Sequence, residues 1–460
     1  MDQHNSSEDG AVEDQYLLSQ NTVRDILNAV ETGDASALIE LMEPLHGADI
    51  ADLLEQISPL ERRHLVQLYD REFDGEILSE LDEALREEVI DALHPTVLAD
   101  AVRDLESDDV VDLIEDLEEP QQEAILEVLE DVDRVAVEAA MGYPEFSAGR
   151  LMQREVVNVP DHWNVGQTID WIRKNKNLPE QFYHVHLVNP RHEPVAYVTL
   201  GRLLSTRRDT ALLDVTEDTF RTFDAQEDEA DVAYAFNQYH LISAPVVDSD
   251  GRLVGMITID DAVRILDEEH EEDIMRLAGV GESSLADRVI STTRRRFPWL
   301  AVNLVTAILA SMVIAQFEAL ISKFVALAVL MPIVASMGGN AGTQSLTVAV
   351  RAIATRDLTG ANVWRVIRRE ILVGLANGVI FALLIGIVGA IWFGTPLLGV
   401  VIALAMVANL VVAGFAGIVI PVSLEKAGID PALASGAFVT TVTDVVGFAA
   451  FLGLAAMMLT

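Results

Sequence analysis

Five apolar segments in the last third of the chain constrain its fold more than any other feature of the sequence. They lie at about 297–317, 324–350, 370–393, 397–422 and 432–458. Each segment has room for the roughly 20 apolar residues that a helix needs to cross a lipid bilayer. Because a helix satisfies its own backbone hydrogen bonds in lipid, the sequence predicts an all-α membrane domain of five helices over residues 297–460.

Basic residues are distributed unevenly among the loops beside these segments. Three arginines (294–296) precede the first segment, five lie between the second and third, and Lys426 lies between the fourth and fifth. The two other loops contain only Lys323. Since Lys and Arg concentrate on the cytoplasmic side of membrane proteins, we expect a multi-pass protein of the cell (inner or plasma) membrane. Its N-terminus would be cytoplasmic and its C-terminus outside.

Negative charge is concentrated before the first apolar segment. The chain has 31 basic and 73 acidic residues, a formal net charge of −42, and basic and acidic residues nearly balance from residue 297 onward. The excess repels nucleic acid and anionic lipid and favours divalent cations, although most of these carboxylates are expected only to solvate the surface. The chain has no cysteine, which excludes disulfides and thiolate metal sites.

The acidic half begins with a tail and a helical region. Residues 1–15 are polar and acidic and are expected to form a disordered tail. Residues 16–142 contain short amphipathic helical motifs separated by Ser-Pro or Ser-Asp-Asp stops, which predicts an acidic α-helical domain of stacked hairpins. The run Gly142-Tyr143-Pro144 ends this pattern.

A tandem α/β repeat follows. Each copy has a helical pattern and then two strand patterns, at 164–177, 183–188 and 195–200 and again at 228–240, 244–248 and 253–258. The repeat resembles a pair of CBS domains, over residues 143–208 and 209–266. A connecting helix over residues 267–296 would join the second copy to the membrane domain.

The second copy contains Gly255-x-x-Thr258-x-x-Asp261. This run matches the ribose- and phosphate-binding pattern of adenosyl-binding CBS modules, so the resemblance implies ATP as a candidate cofactor at Thr258 and Asp261. The first copy departs from the pattern because Arg202 stands where the acid should be. A CBS pair that serves only as a dimerising scaffold is the alternative.

Asp444 is isolated within the fifth apolar segment. A carboxylate near the bilayer midplane costs roughly 2.5 to 3.5 kcal/mol on insertion scales, so such a residue usually lines an ion path. The alternative is a packing or capping aspartate that Thr440, Thr441 and Thr443 satisfy locally.

Other polar groups lie at membrane depth in the second and fourth segments. Pro332 is followed by Gly338-Gly339-Asn340-x-Gly342-x-Gln344, and Asn409 lies in the fourth segment. We expect these groups and Asp444 to line a polar path formed by segments two, four and five. The chain lacks the phosphate-binding motif Gly-x-x-x-x-Gly-Lys-Ser/Thr, so a channel or secondary transporter is favoured over a pump.

The complete arrangement resembles the MgtE family of magnesium channels from about residue 20 onward. The matching motifs are Gly149-Arg150-Leu151-Met152, Pro245-Val246-Val247-Asp248, the Pro332 to Gln344 run and Thr440-Thr441-x-x-Asp444-x-x-Gly447. The resemblance implies a homodimer with one pore at the subunit interface. It also implies a pore aspartate that holds hydrated Mg²⁺, which Asp444 matches, and Asn340 and Gly447 are carried over as pore-lining residues.

A dense acidic run joins the second CBS copy to the connecting helix. Together with acids on the helical domain, it forms a candidate magnesium sensor of Asp108, Asp109, Asp112, Asp260, Asp261, Asp267, Glu268, Glu269, Glu271, Glu272 and Asp273. Like charges on facing domains repel, and divalent ions between them would draw the domains together. Our hypothesis is that cytosolic Mg²⁺ closes the pore in this way.

Three other functions compete with a magnesium channel. A coupled transporter of Mn²⁺, Co²⁺ or Ni²⁺ would need a second titratable group in the membrane, and we expect Glu318 and Glu370 to lie at the interfaces instead. A CBS-regulated anion channel would prefer basic groups along its path. A nucleotide-regulated membrane sensor would act through Thr258 and Asp261. An enzyme is not expected, because no nucleophile–base pair or metal-hydrolase spacing is present.

Overall fold

The computed structural model describes residues 18–115, 117, 119–129, 131–176, 178–179, 181–280 and 289–459. The chain divides into two compact units, Met1–Glu269 and His270–Thr460, which we call unit 1 and unit 2. The expected disordered tail, 1–15, lies outside the described residues. Residues 281–288 of the expected connecting helix also lie outside them.

Short helices follow one another through the first part of unit 1. They are α1 (Gln20–Thr32), α2 (Ala35–Met42), α3 (Gly47–Gln56), α4 (Pro59–Tyr69), α5 (Glu76–Ser79), α6 (Glu83–Ala92), α7 (Pro95–Asp104), α8 (Ser107–Glu115), α9 (Glu119–Val128) and α10 (Asp131–Ala140). Ser58 and Glu61 form a capping box at the start of α4, which explains how a Ser-Pro stop separates helices. The apolar faces share one core, so the α-helical domain is confirmed.

The α/β repeat follows α11 (Ala148–Leu151). Its first copy contains β1 (Asn158–Pro160), α12 (Val165–Lys174), β2 (His184–Val188), β3 (Pro194–Thr199) and α13 (Leu200–Ser205). Its second copy contains β4 (Phe223–Asp224), α14 (Glu229–Tyr239), β5 (Ser243–Val247), β6 (Leu253–Thr258) and α15 (Ile259–Leu277). In each sheet the central strand pairs in parallel with the first strand and antiparallel with the third.

The start of the first copy packs against the second copy. Ala148, Leu151 and Met152 pack into the core of the second copy, although the sequence assigned them to the first. The backbones of Gln153 and Met256 also form a bridge. The segment before β1 thus packs with the second copy of the repeat.

Unit 2 contains the membrane helices. They are α16 (Val289–Ala315), α18 (Ala326–Ala354), α19 (Val363–Phe393), α20 (Pro396–Lys426) and α21 (Pro431–Leu459), with the short α17 (Glu318–Lys323) after the first. Five helices of the described chain are long and apolar enough to span a membrane, which confirms the expected architecture. The third begins at Val363, seven residues before the predicted start. The first turns of α19 contain arginines, and a prediction from hydropathy assigns such residues to the preceding loop.

Small residues set the close packing between α19 and α20. A Cβ atom on Gly374 would lie 2.4 Å from the carbonyl oxygen of Leu410, and one on Gly414 would lie 2.5 Å from that of Glu370. A side chain at either position would therefore force the helices apart. This packing places the first turns of α19 against the end of α20.

Candidate functional site

Asp444 lies half-buried in the middle of α21. The threonines that could satisfy it bond their own helix instead: Thr441 Oγ1 donates to the Ala437 carbonyl, and Thr443 Oγ1 donates to the Val439 carbonyl at 3.1 Å. Thr440 Oγ1 donates to the Gly436 carbonyl at 2.9 Å. No described hydrogen bond or ion pair reaches the Asp444 carboxylate, so its oxygens are free to accept a ligand.

Asn409 lies where α18, α20 and α21 meet. Its side chain is fully buried, and Nδ2 donates to the Val334 carbonyl at 2.9 Å. A Cβ atom on Gly338 would lie 2.1 Å from Asn409 Nδ2, and one on Gly447 would lie 2.7 Å from the same atom. Asn409, Gly338 and Gly447 therefore form a packed helix junction in the described chain.

Asn340 differs from these buried groups. It is exposed, and its Nδ2 lies 3.5 Å from Ser336 Oγ on the preceding turn of α18. Among the described hydrogen bonds, none joins Asn340 to Asp444. The two side chains are therefore not joined by a hydrogen bond in the described structure.

Glu370 is buried between helices of unit 2, eight residues into α19. Only 8% of the residue is exposed, and its carboxylate accepts a hydrogen bond of 2.9 Å from Ser345 Oγ on α18. The sequence interpretation did not predict this burial because it started the third span at residue 370. The earlier start of α19 places Glu370 in its third turn, facing α18.

A second group of carboxylates lies in unit 1, around the first turn of α8. We call it the acidic cluster, and it consists of Glu106, Asp108, Asp109, Glu155 and Asp261. Asp108 is 4% exposed, and no described partner reaches its Oδ1. Ser107 Oγ donates to Glu155 at 2.9 Å, which holds the segment before β1 against α8. The helical domain and the second CBS copy thus present their acids to one another.

The environment of the acidic cluster disfavours ionisation. Burial, reinforced by Glu155 and Asp109, raises the pKa of Glu106 to about 7. Burial likewise raises the pKa of Asp109 to about 6, although the Arg264 guanidinium opposes the shift. Burial and Asp261 raise the pKa of Asp108 well above its usual range. Carboxylates that repel one another in this way would gain from a cation among them.

Asp112 repels Asp109 but, unlike Asp108 and Asp109, it forms described ion pairs with arginines. Its carboxylate pairs with Arg86 at 2.9 Å and with Arg264 at 3.2 Å. Arg264 also contacts Asp261 at 3.6 Å. The fold therefore uses Asp112 to hold two arginines and leaves the neighbouring acids of α8 less compensated.

The remaining candidate sensor residues lie along α15 and are mostly exposed. These are Asp260, Asp267, Glu268, Glu269 and Glu271 on the exposed surface, with Glu272 and Asp273 half-buried. Burial raises the pKa of Glu229 on α14 to about 7, and the charge of Glu268 adds to the shift. Sequence reasoning missed Glu229, Glu106 and Glu155. They lie on separate elements, so no local motif identified Glu229 or Glu155. The only sequence signal for Glu106 was its position directly before the Ser-Asp-Asp run.

The end of α15 contacts the beginning of α21 within unit 2. Arg276 pairs with Asp430 at 3.1 Å, and Asp430 accepts a 2.7 Å hydrogen bond from the Ala432 backbone at the start of α21. Leu277 packs with Ala432 and Val439. Burial and the nearby Asp430 raise the pKa of Asp273. These contacts couple the last turn of α15 to the helix that carries Asp444.

Thr258 and Asp261 lie at the proposed nucleotide motif but are already paired. Thr258 Oγ1 donates to Asp261 at 2.6 Å, and Asp261 is buried beside Arg264. A ribose would have to displace these contacts. In the described part of the chain, no group of three or more His, Asp or Glu side chains is arranged to hold a metal ion.

Comparisons with known proteins cover both units. Family models match residues 331–454 (MgtE, divalent cation transporter), 45–146 (MgtE intracellular N domain) and 214–268 (CBS domain). A magnesium transporter MgtE of Thermus thermophilus is 30% identical over 438 residues, which cover 94% of this chain and 97% of that protein. One of Enterococcus faecalis is 32% identical over 321 residues, 70% of this chain and 71% of that protein.

A solved structure, the cytosolic domain of the Mg²⁺ channel MgtE in complex with ATP, also matches. It is 26% identical, and the match covers 53% of this chain and 99% of that chain with a TM-score of 0.49.

Proposed function

Because this chain belongs to the MgtE family of divalent cation transporters, we propose that it carries Mg²⁺ across the membrane along a path that includes Asp444. One observation carries the residue assignment. The Asp444 carboxylate has no described partner, while each neighbouring threonine bonds its own helix backbone. A carboxylate left without compensation at membrane depth is costly unless a cation or water meets it.

The chemistry of Asp444 suits a hydrated divalent ion. Mg²⁺ loses its water reluctantly and usually binds one or two carboxylates while it keeps several waters. We propose a homodimer with the path on its twofold axis, so that two copies of Asp444 would offset the charge of one ion. Asn340, which is exposed on α18, is the proposed second polar group along the path.

Flux into proteoliposomes tests the path. We expect the Asp444→Ala variant to lose Mg²⁺ uptake at low internal Mg²⁺. Asp444→Asn would show whether the charge or the shape of the side chain matters. Glu425→Ala, which removes an exposed carboxylate at the far end of α20, is the matched control and should conduct normally. Unchanged rate and selectivity in Asp444→Ala would refute the assignment.

We further propose that Mg²⁺ binding at the acidic cluster closes the path. The raised pKa values of Glu106, Asp108 and Asp109 support this, because carboxylates that resist ionisation gain most from a nearby cation. No complete coordination cage is described, so we expect hydrated Mg²⁺ to bind by charge and to draw the acids together. The exposed acids of α15 are proposed auxiliary ligands.

The signal would reach the path through α15. Movement of its last turn would act through Arg276 on Asp430, which immediately precedes α21. It would also act through Leu277 on Val439, which lies in α21. Limited proteolysis of the full chain with and without millimolar Mg²⁺ tests the sensor. We expect slower cleavage of unit 1 with Mg²⁺, and identical cleavage would contradict the proposal.

ATP is a proposed additional ligand of the second CBS copy. Thr258 and Asp261 match the motif, but Asp261 already pairs with Thr258 and Arg264. We therefore expect ATP to bind in competition with these contacts and to change the Mg²⁺ response of the acidic cluster. Equilibrium binding of ATP to wild type and Asp261→Asn, with and without Mg²⁺, measures this coupling.

The buried carboxylate of Glu370 supports a second candidate function, coupled transport of a divalent cation with H⁺. Glu370 supplies a second carboxylate among the helices of unit 2, and Ser345 is its described partner. Coupled transport would make Mg²⁺ uptake depend on an imposed pH gradient, and Glu370→Gln would abolish that dependence. A channel would conduct equally with and without the gradient.

The proposed orientation places unit 1 in the cytoplasm and the C-terminus outside. The arginines near the start of α16, at the end of α18, in the following loop and in the first turns of α19 support it. External protease added to intact cells tests this directly, because it should leave a cytoplasmic unit 1 uncleaved.

A further inference from the structure

A charged groove runs along the first four turns of α19. It has a volume of about 780 Å³, and its lining includes Trp364, Arg365, Arg368, Arg369, Leu372 and Val373. These positions recur at spacings of three and four, so they share one face of the helix. We call this surface the α19 arginine face.

The α19 arginine face holds three positive charges without acidic compensation. Arg365, Arg368 and Arg369 are exposed, and none of them forms an ion pair among the described salt bridges. The Arg368 guanidinium lies 5.3 Å from the centre of the Trp364 ring. The adjacent acid, Glu370, is buried toward Ser345 and leaves the groove cationic.

Apolar side chains continue the same face toward the membrane interior. Leu372 is 63% exposed and Val373 is 44% exposed. With a rise of about 1.5 Å per residue, Leu372 lies roughly 10 Å along the helix from Arg365. A ligand for this face therefore needs an anionic head and, about one nanometre away, an apolar tail.

We propose that the α19 arginine face binds an anionic phospholipid, with the phosphodiester headgroup at the arginines and one acyl chain along Leu372 and Val373. Basic grooves beside membrane helices hold anionic headgroups by this combination of charge and apolar contact. Trp364 has the amphipathic ring that favours the bilayer interface. An acidic protein segment would satisfy the arginines but would leave the apolar part uncovered, so lipid fits the whole face better.

Lipid binding at the α19 arginine face is independent of the proposed ion path. The chain as a whole carries a net charge of −42 and should repel an anionic surface. A local site with three uncompensated arginines would instead select single anionic lipids from a mixed bilayer.

Native mass spectrometry of the full-length protein released from nanodiscs tests the proposal. The nanodiscs contain equal parts of phosphatidylglycerol and phosphatidylcholine with identical acyl chains, and the readout is the ratio of retained lipids. R365Q/R368Q/R369Q is compared with R294Q/R295Q/R296Q, which removes the same charge from the second turn of α16. Since each arginine near an anionic surface contributes about fivefold in affinity, the first variant should lose roughly 100-fold in preference for phosphatidylglycerol.

We expect the wild type and the 294–296 variant to retain phosphatidylglycerol and the 365–369 variant to lose it. Equal retention in all three proteins, or equal loss in both variants, would overturn a site at this face. A change in oligomeric state without a change in retained lipid would identify the face as a contact between copies and would also overturn the proposal. If the glutamine variant does not fold, R365K/R368K/R369K replaces it. It keeps the charge, loses the bidentate geometry and should retain phosphatidylglycerol with reduced preference.

Discussion

Replacement of Asp109 by asparagine should stabilise unit 1 when divalent cations are absent. Asp109 lies in the first turn of α8, facing Asp261, Asp112 and Glu80. Burial raises the pKa of its carboxyl to about 6, and Arg264 offsets only part of the shift. Asparagine keeps the size of the side chain and removes the charge that the neighbours repel.

The expected size follows from the pKa of Asp109. A rise from its ordinary value near 4 to about 6 corresponds to at most about 3 kcal/mol, and solvent screening of a partly exposed group reduces this to about 1 to 2 kcal/mol. Because the folded pKa is raised, the contribution to stability is complete below about pH 4 and is lost as the pH rises through 6. Asp109→Asn avoids that loss, so its advantage should appear above about pH 6 and vanish near pH 4.

Hydrogen exchange of the α8 amides in the full-length protein measures this effect. At about pH 8 without Mg²⁺, we expect α8 in the variant to exchange roughly fivefold to thirtyfold more slowly than in the wild type. Millimolar Mg²⁺ should slow exchange in the wild type and should have a smaller effect in the variant. Asp133→Asn on α10, an exposed acid outside the acidic cluster, is the matched control and should show neither change.

Faster exchange in Asp109→Asn than in the wild type would refute the reasoning. It would mean that Asp109 stabilises α8, as a first-turn acid can by interacting with the helix dipole, and that repulsion within the acidic cluster is unimportant. An equal Mg²⁺ response in both proteins would separate this residue from the proposed sensor.

Three further outcomes are expected. Gly338→Ala should abolish uptake, because its Cβ would lie 2.1 Å from Asn409 Nδ2. It should also lower the stability of the helix bundle by about 2 kcal/mol, as overpacking of a core does. Gly339→Ala is the control and should leave thermal unfolding unchanged, because a Cβ there would meet open space. Burial lowers the pKa of His186 to about 3. The free energy of unfolding of unit 1 should therefore fall by about 3 kcal/mol as the pH falls from 7 to 4. Acid denaturation of His186→Leu should lack this decrease. Arg276→Gln should raise the inhibitory Mg²⁺ concentration in flux assays about threefold, since a partly exposed ion pair contributes about 0.5 to 1 kcal/mol.

The membrane helices and the CBS strands were predictable because each rests on a local pattern. Hydropathy over some 20 residues identified the five spans, and alternation identified β2, β3, β5 and β6 within one residue of their observed bounds. The start of α19 was wrong by seven residues, because a helix can leave the apolar region and continue through arginines. That single boundary also concealed the burial of Glu370.

The sites were less predictable because they depend on contacts between distant segments. Asp108 and Asp109 were noticed as acids, but Glu106 and Glu155 join them only through the packing of α8 against the segment before β1. Asp112 looked equivalent to its neighbours until the fold paired it with two arginines.

The sequence by itself determined the order of domains, the number of membrane helices and the segregation of negative charge to one half. These properties follow from composition and periodicity, which act within a single element. The tertiary structure alone decided which polar groups are paired. It left Asp444 without a partner among the described hydrogen bonds and ion pairs, packed Asn409 against Gly338 and Gly447, and buried Asp108 among other acids. Burial and charge compensation depend on the neighbours that folding supplies, so identical residue types acquired different roles.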